Sequence, residues 1–220
     1  MFLKAAVNGG RTTSEYPAAP VTAAELAAGT NAVHLHVRDG AEGQTSCPDA
    51  LAAVLRKVRA AAPDPVIGTT TGLWTCSGPE ERLALVEAWE VLPDFASVAF
   101  SEDGATETAA LVVARGMGFE SAIWSMDGVP ALLASPTLHR KVRILIEPMD
   151  EDPGTAVTHA RTMAAAILAA GVTCPLLHHG EAATVWPVLR AALEDCHQAR
   201  IGFEDGQNFP TAPRPSTTAT

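Results

Sequence analysis

Residues 95–124 read FASVAFSEDGATETAALVVARGMGFESAIW. Two short apolar runs, 95–100 and 119–124, flank an Ala/Leu/Val-rich segment at 105–117 with helical spacing, the pattern of a strand, a helix and the next strand. The pattern repeats on both sides. Further apolar runs stand at 2–7, 31–37, 65–70, 142–147, 173–178 and 198–204, with helix candidates at 21–29, 48–62, 79–90, 128–134, 154–170 and 182–194. Start signals support several helices: Thr22 with Glu25 three residues on, Ser77-Gly78 before Pro79, and Pro153-Gly154. Eight strands with seven intervening helices predict an α/β protein of the (β/α)8 TIM-barrel type, and no GxGxxG follows the first run to favour a doubly wound sheet. No eighth helix is legible after the last run. Residues 1–209 are therefore expected to form a single barrel domain, with the Pro/Thr/Ala-rich stretch 210–220 a disordered tail. The last gap of such a barrel would be covered by a neighbouring subunit, so a homo-oligomer (dimer or tetramer) is expected, or the chain is a trimmed version of a longer relative.

The composition narrows the class. Of 220 residues, 47% are hydrophobic and 25 acids face 15 Lys and Arg, a formal charge of -10 without basic clusters. That excludes a disordered chain and offers no patch for a phosphate backbone, so nucleic acid is not an expected partner. No run approaches the roughly 18 to 20 apolar residues of a spanning helix, and the N-terminus lacks a charged n-region before a long apolar stretch. A cytoplasmic protein with no membrane partner is the expectation. Cys47, Cys76, Cys174 and Cys196 are scattered, without a CxxC pair, and are expected to be reduced thiols.

In a barrel of this kind the chemistry sits at the C-terminal strand ends. The second run carries His34-Leu35-His36-Val37-Arg38-Asp39. Residues i and i+2 share a strand face, about 7 Å apart along the backbone, so both imidazoles can enter the barrel mouth as metal ligands or as a hydrogen-bonded core pair. The eighth run, Arg200-Ile201-Gly202-Phe203-Glu204-Asp205, puts Arg200, Gly202 and Glu204 on one face. Glu204 can complete a His2Glu set with an open position, the ligand count of a catalytic zinc, or it can bridge to Arg200 inside the barrel. Gly202 leaves room for a close approach. Thr69-Thr70-Thr71-Gly72 ends the third run with hydroxyls and free backbone N–H groups suited to a carboxylate. Glu120 and Glu147 lie in apolar runs and need partners if buried, Arg200 being the candidate for Glu120. His178 and His179 are adjacent and splay to opposite faces, so at most one points inward. Asn8 and Arg11, in the loop after the first run, are candidate substrate contacts. Trp74, Trp124 and Trp186 read as packing residues, with Trp124 placed to wall the pocket.

These segments occur together: AVNGGRTTSEYPAAPVT at 6–22, HLHVRD at 34–39, TTTG at 69–72, RILIEP at 143–148 and RIGFED at 200–205. In this order, over about residues 5 to 209, they resemble the β-keto acid cleavage enzymes, whose founding activity is 3-keto-5-aminohexanoate cleavage. SVAFSEDG, ESAIWS and LLHHGEAATVWPVLRAAL are similar to the shorter branch of that family. The resemblance implies a zinc-dependent (β/α)8 acyltransferase in which a β-keto acid and acetyl-CoA give acetoacetate and a new CoA thioester. It implies His34, His36 and Glu204 as zinc ligands, Asp205 as general base, and Arg200, Thr70 and Glu120 as further catalytic groups. Asn8, Arg11, Thr71 and Gly72 are the expected substrate-binding set. Thr70 stands where relatives carry serine, and Ala99 where a polar amide is expected. The residues by themselves also fit a metal-dependent hydrolase of the amidohydrolase type, although its HxH lies on the first strand and its strand-four lysine is missing here. They fit equally a non-catalytic relative that binds a small acid or a metal.

Overall fold

The computed structural model describes residues 2–9, 31–39, 41 and 43–206. Eight parallel strands close into a barrel in chain order, β1 (Leu3–Ala6), β2 (Ala32–Leu35), β3 (Val66–Thr70), β4 (Phe95–Ala99), β5 (Gly118–Ile123), β6 (Arg143–Ile146), β7 (Leu176–His178) and β8 (Gln198–Ile201). Six α-helices lie between them among the described residues: α1 (Pro48–Ala61), α2 (Pro79–Glu87), α3 (Ala105–Ala114), α4 (Gly128–Ala134), α5 (Pro153–Ala169) and α6 (Val185–Glu194). This is the expected (β/α)8 barrel. The expected helix at 21–29, the tail at 210–220 and any helix after β8 lie outside the described residues, as does Arg11.

Local sequence accounts for the elements. α1, α2 and α5 each begin with proline in the first turn, where its missing N–H costs nothing. Asp152 caps α5 by accepting from Thr155 N at 2.8 Å. α1 buries Leu51, Leu55 and Val58, spaced four and three residues apart, on one face. Those side chains meet the outward residues of the strands, such as Val33, Leu35, Ile67, Val98, Phe119 and Ile144, in the core between barrel and helices. The inward residues are of another kind: His34 and His36 on and just after β2, Lys4 on β1, Glu120 on β5 and Arg200 on β8 are all buried.

One boundary differs from the expectation. β8 stops at Ile201, and 202–206 form a turn in which Gly202 O accepts from Asp205 N at 3.1 Å and from Gly206 N at 3.2 Å. Gly202 allows this because its backbone lies flat on β1: a Cβ there would stand 1.7 Å from Ala6 O. The turn releases Glu204 and Asp205 from strand alternation, which would have sent their side chains to opposite faces.

The two histidines ending β7 do splay apart. His178 turns toward the helices, where its Nε2 lies 2.9 Å from His197 Nδ1, while His179 enters the barrel mouth. Burial first, and then the neighbouring His197, push the His178 pKa down to about 4. The unfolded chain thus binds a proton the folded one refuses between about pH 6.5 and 4, so stability present above that window is lost as pH falls through it. The shift is worth up to about 3 kcal/mol. His178→Gln should flatten the fall in denaturation midpoint between pH 7 and 4.5 relative to wild type, and equal slopes would contradict this origin.

Candidate metal and active site

The inward face of β2 brings His34 Nε2 and His36 Nε2 to 3.2 Å, and Glu204 Oε1 lies 3.3 Å from His36 Nε2. The ligand atoms of the three residues all lie within 4.8 Å of one another. Donors around a tetrahedral ion at roughly 2.0–2.1 Å stand about 3.3 Å apart, so this spacing suits a small divalent cation. The spacing is held from behind. Asn8 clamps the His36 backbone, accepting from its N–H at 2.9 Å and donating to its carbonyl at 2.7 Å. Gln44 Oε1 meets His36 Nδ1 and also accepts from Trp74 Nε1 at 2.8 Å. An oxygen facing Nδ1 requires the proton there, which leaves the Nε2 lone pair directed at the ligand cluster. Burial holds His34 well below the ordinary histidine range, so it too is a neutral donor. Gly9, with φ +48°, is needed beside them, since a Cβ would lie 2.1 Å from Glu204 Cγ.

Arg200, buried at the end of β8, contacts Glu204 Oε1 and donates to Asp205 Oδ1 at 2.9 Å. Burial opposes ionisation of Glu204, but the Arg200 guanidinium outweighs it and holds the carboxyl well below its usual range. Asp205 Oδ2, Glu204 Oε2 and Arg200 Nε are buried without a hydrogen-bond partner among the described residues. His179 sits between two carboxylates, Nε2 3.2 Å from Glu147 Oε1 and Nδ1 3.4 Å from Asp205 Oδ1, within ion-pair range but out of line for hydrogen bonds. Burial and Arg200 push its pKa down, and Glu147 and Asp205 overcome both to raise it to about 9. Arg200 and protonated His179 thus face Glu147, Glu204 and Asp205, a surplus of one negative charge that a bound cation would reverse.

These residues line a cavity of about 460 Å³ at the C-terminal end of the barrel, together with Thr70 and Gly72. Thr70 Oγ1 accepts from Gly72 N at 3.0 Å, leaving its own O–H to donate. Three expectations need correction. Glu120 does not pair with Arg200; its Oε1 is 2.5 Å from Lys4 Nζ, accepts from Ser97 Oγ at 2.8 Å, and lies beneath the cavity floor. Thr71 is buried with its hydroxyl donated to Ser97 O at 2.8 Å, because it follows Thr70 on the opposite strand face. Asn8, expected at the substrate, instead engages both ends of its amide on the His36 backbone.

Among the lining residues outside the expected set are His179, Gln44 and Trp74. His179 was legible only as half of a splayed pair, Gln44 lies in a hairpin after β2 that no motif marks, and Trp74 was read as packing. Trp74 is half exposed and stacks on the His36 ring with centroids 6.1 Å apart.

A search of solved structures finds the same fold in ObcA. Its binary complex with oxaloacetate superposes at TM-score 0.66 and its ternary complex with a C4-CoA adduct and oxalate at 0.67, each with 15% identity and 86% of this chain covered. The chain spans 58% of the ObcA chain in both. The 3-dehydroquinate dehydratase of Aquifex aeolicus VF5 shares the fold at TM-score 0.56 and 12% identity, over 92% of this chain and 88% of its own. No curated protein matches the sequence. The sequence profile of the beta-keto acid cleavage enzymes matches residues 1–114, a span holding Asn8, His34, His36 and Thr70. Over half of its length, and with both histidines of the cluster inside the match, the chain belongs to the β-keto acid cleavage enzyme family.

Proposed function

We propose that the protein is a zinc-dependent β-keto acid cleavage enzyme that exchanges acyl groups between a β-keto acid and acetyl-CoA, giving acetoacetate and a new acyl-CoA. The observation that carries this reading is Asp205, which lines the cavity beside the His34, His36 and Glu204 cluster and whose Oδ2 has no hydrogen-bond partner among the described residues. Zinc held by those three residues would supply Lewis acidity at the keto oxygen and acidify the adjacent carbon. Asp205 Oδ2 then takes the proton from that carbon as general base, with Oδ1 fixed by Arg200 so that the free oxygen keeps its aim. Arg200 Nε, which has no hydrogen-bond partner among the described residues, would hold the substrate carboxylate or a developing oxyanion. Thr70 O–H is a second donor to the same region. The carbon nucleophile attacks the acetyl thioester and expels CoA thiolate, the thiolate attacks the original acyl carbonyl to form the new acyl-CoA, and the carbanion released as the original carbon–carbon bond breaks takes the proton back from Asp205 to give acetoacetate.

The test is metal content and acetyl-CoA-dependent acetoacetate formation on the purified protein. About one zinc per chain with acetoacetate formed is the expected result, and His36→Ala should lose both. Activity in metal-free protein, or hydrolysis without CoA, would overturn the reading. Because Gln44 sets the His36 tautomer without touching the ion cluster through its own ligand atoms, Gln44→Leu should weaken zinc affinity by about 10–100-fold with the fold intact. Unaltered affinity in a chelator competition would show that His36 needs no such support. No helix among the described residues is long and apolar enough to cross a membrane. A cytoplasmic site of action and a homo-oligomeric state complete the proposal.

A further inference from the structure

The cavity has two unlike sides. On the β2 and β8 side stand His34, His36, Arg200, Glu204 and Asp205. On the other side Ala99, Ala122 and Leu145 sit in register on β4, β5 and β6, and the row continues to Leu177 on β7. These four form an apolar cluster separate from the outer core, with Trp124 packed against it. Two alanines in such a row leave open volume where larger inward side chains would fill the barrel. Trp74 and Trp124, with ring centroids 6.3 Å apart, wall that space, and Met149, 59% exposed, stands at its rim. The two lining carboxylates away from the His34, His36 and Glu204 cluster and Asp205 are already engaged, Glu147 by Trp124 Nε1 at 3.2 Å and by His179 at 3.2 Å, and Glu181 by the Thr184 backbone N–H that it caps. Ser97 is likewise committed to Glu120.

Resting on the proposed reaction, we infer that the variable chain of the β-keto acid is uncharged and aliphatic and lies along Ala99, Ala122 and Leu145 between the two indoles. Among the described residues an ammonium on that chain would meet only carboxylates already spent on donors, and a second carboxylate would meet no cation but His179, which Glu147 and Asp205 already hold; either would lose water without replacement. An alkyl chain has the opposite balance, gaining about fourfold in affinity for each methylene it buries until the space is filled.

The experiment measures Kd for a homologous series of straight-chain 3-oxo acids, from four carbons to ten, on the zinc-loaded protein without acetyl-CoA. A chain-amino 3-oxo acid and 3-oxoadipate are included, and indole fluorescence and calorimetry give the readouts. Kd should fall about fourfold per methylene over the first steps, with indole quenching, and both charged analogues should bind at least about tenfold more weakly than neutral acids of equal length. Ala122→Leu should abolish the gain with chain length. The same trend without any acetoacetate formation would sink the proposed reaction and leave this subsite standing. Turnover with a flat series, or with the amino acid analogue tightest, would overturn the subsite and leave the reaction. An Ala122→Leu variant that raised the KM for acetyl-CoA equally with every acid would assign the wall to the CoA arm and also overturn it. The wild-type series decides the matter even if the variant does not fold.

Discussion

Glu120→Ala is expected to lower folding stability by about 3–5 kcal/mol, the cost of leaving one partner of a buried ion pair uncompensated. Glu120 and Lys4 are both fully buried, joined at 2.5 Å across the barrel interior, and Arg143 lies 3.6 Å from the other carboxylate oxygen. Burial works against the ionised carboxyl, yet Lys4 and Arg143 together hold its pKa below the usual range. Removing the carboxylate strands two cations in a space that also contains Phe95 and no other anion described as touching them. The measurement is a denaturant midpoint at constant slope at pH 7. The paired replacement Lys4→Met with Glu120→Leu removes the two fully buried charges and should recover part of the loss, since well-packed apolar pairs often match or exceed such bridges, the remainder being Arg143 left without its carboxylate. That double variant also tests the catalytic role the resemblance implies for Glu120. Acetoacetate formation retained in a stable double variant would make Glu120 a scaffold residue, whereas a stable but inactive one would return it to the chemistry.

The barrel was legible because its evidence is distributed: every strand run from 2–7 to 198–204 has a counterpart within a few residues, and α1, α2 and α5 start at their prolines. Strand periodicity also placed His34 and His36, since alternation alone sends Val33 and Leu35 to the helices and the histidines inward. Alternation failed where the chain leaves the strand. Extending β8 to 204 would have separated Glu204 from Asp205, and only the turn after Gly202 lets Arg200 reach both. Glu120 was misassigned for a different reason. A strand pattern gives the face a residue occupies but not its depth along the barrel axis, and Glu120 lies two residues before Ala122, below the cavity. Gln44 and His179 depend on tertiary approach, a hairpin folding back on β2 and a loop passing beside Glu147, which local pattern does not encode.

Asp205→Asn is expected to cut acetyl-CoA-dependent turnover by about 10²–10⁴-fold, the range lost with a positioned general base. Zinc content should stay near that of wild type, because the ligand cluster is His34, His36 and Glu204. The substitution suits the site: an amide oxygen can keep the 2.9 Å bond from Arg200, so the turn and the guanidinium stay in place while the acceptor at Oδ2 becomes a donor. A second readout isolates the step. Exchange of the α-hydrogens of the keto acid with deuterated solvent, followed without acetyl-CoA on the zinc-loaded protein, needs the metal and the base but not the thioester, and should fall with turnover in Asp205→Asn while persisting in a variant impaired later in the cycle. Turnover within about tenfold of wild type would place the base elsewhere. His179 would be the next group to test, because its Nδ1 lies 3.4 Å from Asp205 and it lines the same cavity. Against that alternative stands its charge: with Glu147 and Asp205 raising its pKa to about 9 over the opposing effects of burial and Arg200, His179 holds its proton at neutral pH and stands beside Asp205 as a cation.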